Sequence, residues 1–441
     1  MTSTADLHIH SRHSTRAADW VLRRLDFPAS YSDPLQTYER LRAQGMQFVT
    51  LTDHNTLGGC LEIAHLPGVI FGEEVTASFP DDECKVHILV WGLTETQHRE
   101  IQALRENLFD LQKYLEAEGL AHAVAHPFYS PDEKLTPLHF QKLVLTFRHF
   151  EIINGRYHAR LSEAARFALS SLTPRHIEVF SARTGLEPTH DEPWRKVFVG
   201  GSDDHGGMYP ARAFTTTPAA HSAAEFLSHI REGRCEARGE GGNPLALAHG
   251  TYNTAYQFLK AKFAVKPGNP AAGLLEKAFS RFMEGKDPTE FTLAEKLGFL
   301  AQGIATGKIF EMAMAGNSSL WKELSSYISK PEVKAALARE TAGIAEPERR
   351  AFLMANLIAN QLGYRFFTQF IEQLTGAKFI ESIQTISPLV PIIALLSPYL
   401  HALRQPRREW VREMTRTVVG SAPDISGSGA AGGRASSILL V

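Results

Sequence analysis

The sequence predicts an α/β barrel over its first half and an all-α region beyond it. Three observations lead there. Seven short apolar runs alternate with amphipathic stretches over the first 235 residues, no glycine-rich phosphate loop follows the first run, and past residue 245 the periodicity turns almost wholly helical. Several runs are continuously apolar, as buried parallel strands are. Without a glycine-rich turn after the first of them, a barrel is a better reading than an open dinucleotide-binding sheet.

Taken in order, the strand-like runs are Ala5–His10, Met46–Thr52, Val69–Val75, Val86–Trp91, His122–Ala125, Phe150–Ile153 and Val197–Gly201. Asp33-Pro34 opens a helix that Gly45 closes, with proline at the start and glycine at the end. A long helical pattern runs from Glu95 to Glu118 and stops at Gly119, and others cover Leu138–Phe147, His158–Ser171 and Ser222–Glu232. The glycine-rich stretch from Arg234 to Pro244 reads as a linker. The expected division is a barrel over 1–235, a linker over 236–244, a helical region over 245–419 that includes Pro331–Glu340, and a disordered Gly/Ser/Ala-rich tail over 420–441.

Ile386–Leu403 is the most apolar stretch, yet Pro388, Pro391 and Pro398 interrupt it, which argues against a bilayer-spanning helix. Arg404, Arg407 and Arg408 follow, so the segment 386–408 suits weak contact with an anionic membrane surface. The 441 residues are 44% apolar and 21% charged, which excludes disorder and coiled coil for the chain as a whole. Three cysteines exclude a disulfide scaffold and fit a reducing cytoplasm. The first residues, Met1 to Asp6, have neither the basic start nor the apolar stretch of a secretory signal.

Charge is uneven. Residues 1–240 carry −8 and residues 241–441 carry +6, for a total of −2. An acidic first half disfavours polyanions and favours cations, which argues against nucleic acid as a partner. Fifteen of the 19 histidines fall in residues 1–205, and metal ligation is the usual reason for such crowding. His8 and His10 end the first run at positions i and i+2, so in an extended chain both imidazoles aim the same way. The other runs deliver Thr52-Asp53-His54, Gly72-Glu73-Glu74, His87, His126-Pro127 and Ser202-Asp203-Asp204-His205, mostly near the C-terminal ends where barrels carry their sites.

These residues match a family pattern. Ala5-Asp6-Leu7-His8-Ile9-His10-Ser11, Leu51-Thr52-Asp53-His54-Asn55-Thr56, Gly72-Glu73-Glu74-Val75-Thr76, Val86-His87-Ile88-Leu89, Ala125-His126-Pro127 and Gly201-Ser202-Asp203-Asp204-His205 resemble, in order, the motifs of the PHP (polymerase and histidinol phosphatase) superfamily. A narrower resemblance is to the PHP domain found N-terminal to bacterial glycosyltransferases. It rests on Trp20-Val21-Leu22-Arg23, the stretch from Glu62 to Gly68, Lys85-Val86-His87 through Trp91-Gly92, and Gln97-His98-Arg99-Glu100-Ile101, and it adds a glycosyltransferase as a partner.

The resemblance implies a distorted (β/α)7 barrel that holds two or three divalent ions and hydrolyses phosphoesters with a metal-activated water. Mixed imidazole and carboxylate ligands suit Zn, Mn or Fe. Carried over residue by residue, His8, His10 and Asp203 are ligands of a first metal. Glu74 bridges it to a second metal completed by His87 and His126, and Glu73 points the other way. His54 and His205 are ligands of a third, while Asp53 orients a neighbouring ligand. Where some relatives carry a further ligand, this chain has Thr15-Arg16-Ala17. Arg16 cannot bind a cation, which favours two metals over three unless His13 or Asp19 substitutes. Arg16, Arg12 and Arg156 are instead candidates to hold a substrate phosphate, because a guanidinium pairs two oxygens at once. The implied function is a phosphoesterase acting on a small phosphorylated metabolite or nucleotide. The rival readings are a DNA-processing nuclease and a non-catalytic metal-stabilised module associated with glycosyltransfer.

Overall fold

The computed structural model describes residues 2–15, 28–157, 159–243 and 330–340, with positions 246 and 416. The seven expected runs become strands β1 (Thr2–Asp6), β2 (Phe48–Leu51), β3 (Val69–Ser78), β4 (Lys85–Trp91), β5 (Ala121–Val124), β6 (His149–Asn154) and β7 (Val197–Gly201). Two more, β8 (Ala213–Pro218) and β9 (Glu236–Gly239), extend the sheet to nine strands in the order β7-β6-β5-β4-β3-β2-β1-β8-β9.

The sheet rolls up until its ends meet. Past β7 the chain lies against the continuation of β1. Asp203 N–H donates to the His8 carbonyl at 2.5 Å, His10 N–H donates to the Asp204 carbonyl at 3.1 Å, and Ile9 forms a parallel bridge with Asp204. Further back, Thr215 of β8 closes the seam through its hydroxyl, which exchanges 2.9 Å hydrogen bonds with Gly200 N–H and the Gly200 carbonyl. The result is a distorted, nearly closed barrel.

Strand direction departs from an all-parallel expectation. β1–β2, β2–β3, β5–β6 and β6–β7 are parallel, but β4 runs antiparallel to both β3 and β5. The reason is the short turn between β3 and β4, where Phe79 N–H meets the Cys84 carbonyl at 2.9 Å; a parallel return needs a crossover of a dozen residues or more. The reversal decides where His87 goes. It lies early in β4, opposite Thr76, and so beside the C-terminal part of β3 that carries Glu74.

β1 also starts earlier than expected and ends at Asp6, because Thr2–Ala5 pair antiparallel with Thr215–Pro218 of β8. Leu7 to His10 then follow as an extension rather than as the strand itself. β9 occupies part of the stretch expected as a linker. It pairs with β8, and Gly242 N–H donates to the Asn154 carbonyl at 3.0 Å.

The helices start where side chains can take up their free N–H groups. Asp33 accepts from Gln36 N–H at 3.1 Å to open α1 (Pro34–Ala43), and α2 (Gly58–Ile63) follows β2. The long helix expected from Glu95 to Glu118 is two, α3 (Glu95–Leu104) and α4 (Leu108–Ala117). Asn107 breaks it by capping the second, its side chain accepting from Phe109 N–H at 3.1 Å. Then come α5 (Pro137–Thr146), α6 (Ala159–Ser170), α7 (Pro174–Thr184) and α8 (Ala223–Arg231). Neither α2 nor α7 stood out in the sequence, although α7 opens with a Thr173/His176 capping box and ends at Gly185.

One core fills the barrel, with Leu7 of the β1 extension meeting Leu89, Ala123 and Val199 of β4, β5 and β7, and Trp91 Nε1 donating to the Leu7 carbonyl at 3.0 Å. Another lies between sheet and helices and contains Phe79, Phe140, Phe147, Phe150 and Phe180. Burying each such ring stabilises the fold by about 1.5–3 kcal/mol.

The described residues fall in two compact units, one within Met1–Ala255 together with Ala402–Val441 and one within Tyr256–His401. In the second, α9 (Pro331–Glu340) coincides with a helix expected there. Arg16, Asp19, segment 386–408, tail 420–441 and the rest of 245–419 except 246, 330–340 and 416 lie outside the described residues. Among the described residues no helix is long and apolar enough to cross a membrane.

Candidate metal centre

Glu74 stands at the centre of the histidines. Its Oε2 lies 3.3 Å from His8 Nε2, 3.2 Å from His10 Nε2 and 2.9 Å from His54 Nδ1. Its Oε1 lies 2.6 Å from His87 Nδ1 and 3.1 Å from His126 Nε2. Asp203 closes the other side, with Oδ1 at 3.7 Å from His8 Nε2, 3.4 Å from His10 Nε2 and 3.2 Å from His205 Nδ1. His8 and His10 are fully buried, whereas the His54 side chain is 15% exposed, so the cluster opens on the His54 side.

His126 Nε2 has hydrogen-bond geometry to Glu74 Oε1, but most of this proximity is not hydrogen bonding. His8 Nε2, His10 Nε2, His87 Nδ1 and Glu74 Oε2 are buried with no hydrogen-bond partner. A buried polar atom left unpaired costs about 1–3 kcal/mol, and three imidazole nitrogens against one carboxylate that also has an unpaired oxygen need a common partner. A divalent cation supplies that. Four groups have donor atoms within 4.8 Å of one another: His8–His10–Asp203, His8–Glu74–His126, His54–Glu74–His87 and His10–His54–His205. The pairing differs in part from the one carried over from the resemblance. His54 joins Glu74 and His87, and His126 meets Glu74 together with His8.

The electrostatics suit a cation. Burial works against the charge of Glu74 and Asp203, yet the surrounding imidazoles, His87 and His54 about Glu74 and His8 about Asp203, hold both carboxyls well below the usual range. Burial pushes His54 down to about 4, and His205 is driven well below its ordinary value by burial and by Arg156. Ionised carboxylates beside neutral imidazoles are the protonation states that ligate. His8 and His10 move the other way. Burial opposes their charge, but Asp203 and Glu74, joined at His8 by Glu151, raise both, which marks an excess of negative charge at that end.

Groups behind the cluster set its orientation. The Asp53 carboxylate accepts from Ser11 N–H, Ser11 Oγ and Ser14 Oγ, each at 2.7 Å, and Ser14 Oγ lies 3.0 Å from His10 Nδ1. Glu151 Oε1 lies 2.9 Å from His8 Nδ1. Asp6, pushed up to about 6 by burial, accepts from the N–H groups of His8, Ser202 and Ala211. Glu73 faces away from Glu74 and meets His98 Nδ1 at 3.0 Å and Gln102 Nε2 at 2.9 Å.

The arginines divide. Arg12 is held between Asp33 and Glu62, and His13 Nε2 lies 2.5 Å from the same Glu62, so both are engaged away from Glu74. Arg156 is half-buried near Asp203; burial opposes its charge, but that carboxylate raises its pKa. Among the described residues its guanidinium has neither an ion pair nor a hydrogen bond. Ser14, Glu151 and Asn154 were missed in the sequence. A signal for Glu151 existed, since a carboxylate inside the apolar run Phe150–Ile153 needs a buried partner.

No family model matches the chain. An uncharacterised protein of Methanocaldococcus jannaschii, MJ1587, is 38% identical over 71 residues, which is 16% of this chain and 39% of that protein. The chain thus matches well under half the length of that relative. Among solved structures, PsfC from Pseudomonas syringae PB-5123 is similar at 13% identity and a TM-score of 0.35, over 60% of this chain and 99% of that one. The lesion-specific endonuclease PfuEndoQ from Pyrococcus furiosus is similar at 16% identity and a TM-score of 0.35, over 53% of this chain and 56% of that one.

Proposed function

We propose that this chain is a metal-dependent phosphoesterase of the PHP type that hydrolyses a small phosphorylated metabolite or nucleotide. One observation carries the reading: the buried His8 Nε2, His10 Nε2 and His87 Nδ1 lie within 3.3 Å of the Glu74 carboxylate, and they and Glu74 Oε2 have no hydrogen-bond partner. His8, His10, Glu74, His87, His126 and Asp203 are the proposed ligands, with His54 and His205 able to hold a further ion. Bound divalent ions would supply neutralisation of phosphoryl charge and activation of water. Zn, Mn or Fe fits this mixture of imidazoles and carboxylates better than Mg or Ca.

The chain's own residues do the rest. Asp53, acting through Ser14, and Glu151 keep His10 and His8 turned with Nε2 toward the cluster. Arg156 is the proposed clamp for phosphoryl oxygens, because its guanidinium, unpaired among the described residues, can take two at once. The −8 charge of residues 1–240 favours a small substrate over a nucleic acid.

The test is elemental analysis of protein purified without chelator, followed by a phosphoester panel with Asp203→Ala as control. Two or more ions per chain, with hydrolysis that Asp203→Ala abolishes, support the reading. A chain that takes up no Zn, Mn or Fe even after incubation overturns it.

A further inference from the structure

β6 contributes no member to any of the four donor groups, yet it touches three residues that belong to them. Glu151 Oε1 faces His8 Nδ1 at 2.9 Å, while Oε2 accepts the His126 backbone N–H at 2.9 Å and Asn154 Nδ2 at 2.9 Å. The same Asn154 Nδ2 donates to Asp203 Oδ2 at 3.1 Å. Asn154 Oδ1 accepts the N–H groups of Arg156 at 2.9 Å and Tyr157 at 3.1 Å. The amide therefore uses both of its hydrogens on two carboxylates and its oxygen on two backbone donors. Glu151, Asn154 and Asp203 are all 2% exposed or less.

Two further features point to the same place. Glu151 and Asn154 are three apart, so in a regular strand they would face opposite sides of the sheet. The register of β6 against β7 shifts between Glu151 and Ile153, and that irregularity turns Asn154 back to the side of Glu151. His126 and Asp203 both have left-handed backbones, with φ of 26° and 49°. For a side-chain-bearing residue this costs about 1–2 kcal/mol and persists only where the surroundings over-determine it. The two strained residues are the ones Glu151 and Asn154 bind, one through its N–H and the other through its carboxylate.

Resting on the metal reading above, we infer that Asn154 is a positioning residue that locks the His8–His10–Asp203 and His8–Glu74–His126 groups into one unit. The residue has to be an amide. An aspartate would place a third carboxylate against Glu151 and Asp203, and a serine would lack the second donor hydrogen. Among the described residues no hydrogen bond joins Asn154 to His54 or His87, so the His54–Glu74–His87 group stands outside its network.

The experiment is Mn(II) titration of the full chain, wild type against Asn154→Asp, read by bound ions per chain and by electron paramagnetic resonance. Asn154→Asp keeps the oxygen for the two backbone donors and changes only the side facing the carboxylates. The expected result is selective: affinity at the groups containing Asp203 and His126 falls about 10–100-fold, while one ion is retained at wild-type affinity. The exchange-coupled spectrum of paired ions then gives way to that of an isolated ion. Unchanged binding of every ion overturns the inference, and so does equal weakening of all of them, the signature of a merely structural role. Where the wild type takes up Zn but not Mn(II), the same comparison is read with Zn by bound ions per chain; a wild type that takes up none of Zn, Mn or Fe overturns the metal reading itself, and the inference with it. If Asn154→Asp does not accumulate folded, Asn154→Ser, which keeps an oxygen and loses the amide donors, carries the same comparison.

Discussion

Ser14 fixes the tautomer of His10. The serine hydroxyl has one hydrogen, and Asp53 Oδ1 at 2.7 Å can only accept it, so His10 Nδ1 at 3.0 Å must be the donor to Ser14. The His54 N–H donates to the same oxygen at 3.2 Å and completes its capacity. In the neutral ring His10 Nε2 is thereby the lone pair facing Glu74 and Asp203. Ser14→Ala leaves a buried imidazole N–H unpaired and deprives Asp53 of one donor. The expected cost is about 1–3 kcal/mol of stability and a 10–100-fold loss of metal affinity. Chemical denaturation with chelator and metal titration measure the two separately. An alanine variant that binds metal like wild type would rule out this role for Ser14.

Metal loading should stabilise the barrel unit. An ion that binds only the folded chain adds about 2.7 kcal/mol at a hundredfold excess over its dissociation constant, or roughly 5–10 °C in melting temperature for a unit of this size. Differential scanning fluorimetry with and without chelator reads this directly. Asp203→Ala leaves one Asn154 hydrogen unpaired, so it should melt below wild type in chelator, and it should lose most of the gain from added Mn or Zn. A melting temperature indifferent to metal in the wild type contradicts the centre.

Much of this arrangement was legible because of where the polar residues fall. His8, His10, Glu74 and Asp203 lie in or beside apolar runs, where an imidazole or carboxylate without a partner is costly. Pairing was not legible in the same way. His87 reaches Glu74 only because β4 runs backward, and the expected runs, ending at Val75 and resuming at Val86, hid how short the turn after Phe79 is. β8 escaped notice because Ala-Phe-Thr-Thr-Thr-Pro has little apolar content, and β9 because Glu-Ala-Arg-Gly lies among glycines. Asn154 depends on a register shift in β6, a property of two strands together that no single run encodes.

Acid should destabilise the far end of β6 through His149. This imidazole starts β6, is buried, and lies 2.9 Å from the Ile230 carbonyl, so Nε2–H donates there. Burial, reinforced by His122, Arg148 and Lys196, pushes its pKa from 6.5 down to about 3. The unfolded chain then takes up a proton near pH 6.5 that the folded chain refuses until about pH 3, and stability falls as pH falls through that window. The slope from this group is up to about 1.4 kcal/mol per pH unit. His149→Gln keeps a donor for Ile230 and removes the titration. Denaturation in chelator at pH 7.5 and pH 5, values chosen to straddle about 6.5, should show a smaller loss for the variant; equal losses refute the assignment.

Gly201 lies against the backbone of His8, and it makes the last expectation a contrast between two glycines. A Cβ on Gly201 would lie 2.3 Å from His8 Cβ, 2.6 Å from His8 N and 2.9 Å from His8 Cα. Backbone cannot swing aside as a flexible side chain can, so Gly201→Ala must push the continuation of β1 away from β7. That displaces His8 from Glu151 and Glu74 together, with an expected loss of about 3 kcal/mol. Metal binding should fail with it. Gly185, which ends α7 at φ 70°, has nothing within 4 Å of the same added atom. Gly185→Ala carries only the left-handed backbone penalty, about 1–2 kcal/mol, and should leave metal stoichiometry untouched. Measuring stability and bound metal in both variants separates the effects. If Gly201→Ala bound its full complement of metal, the seam between β1 and β7 would not be what holds His8 in place.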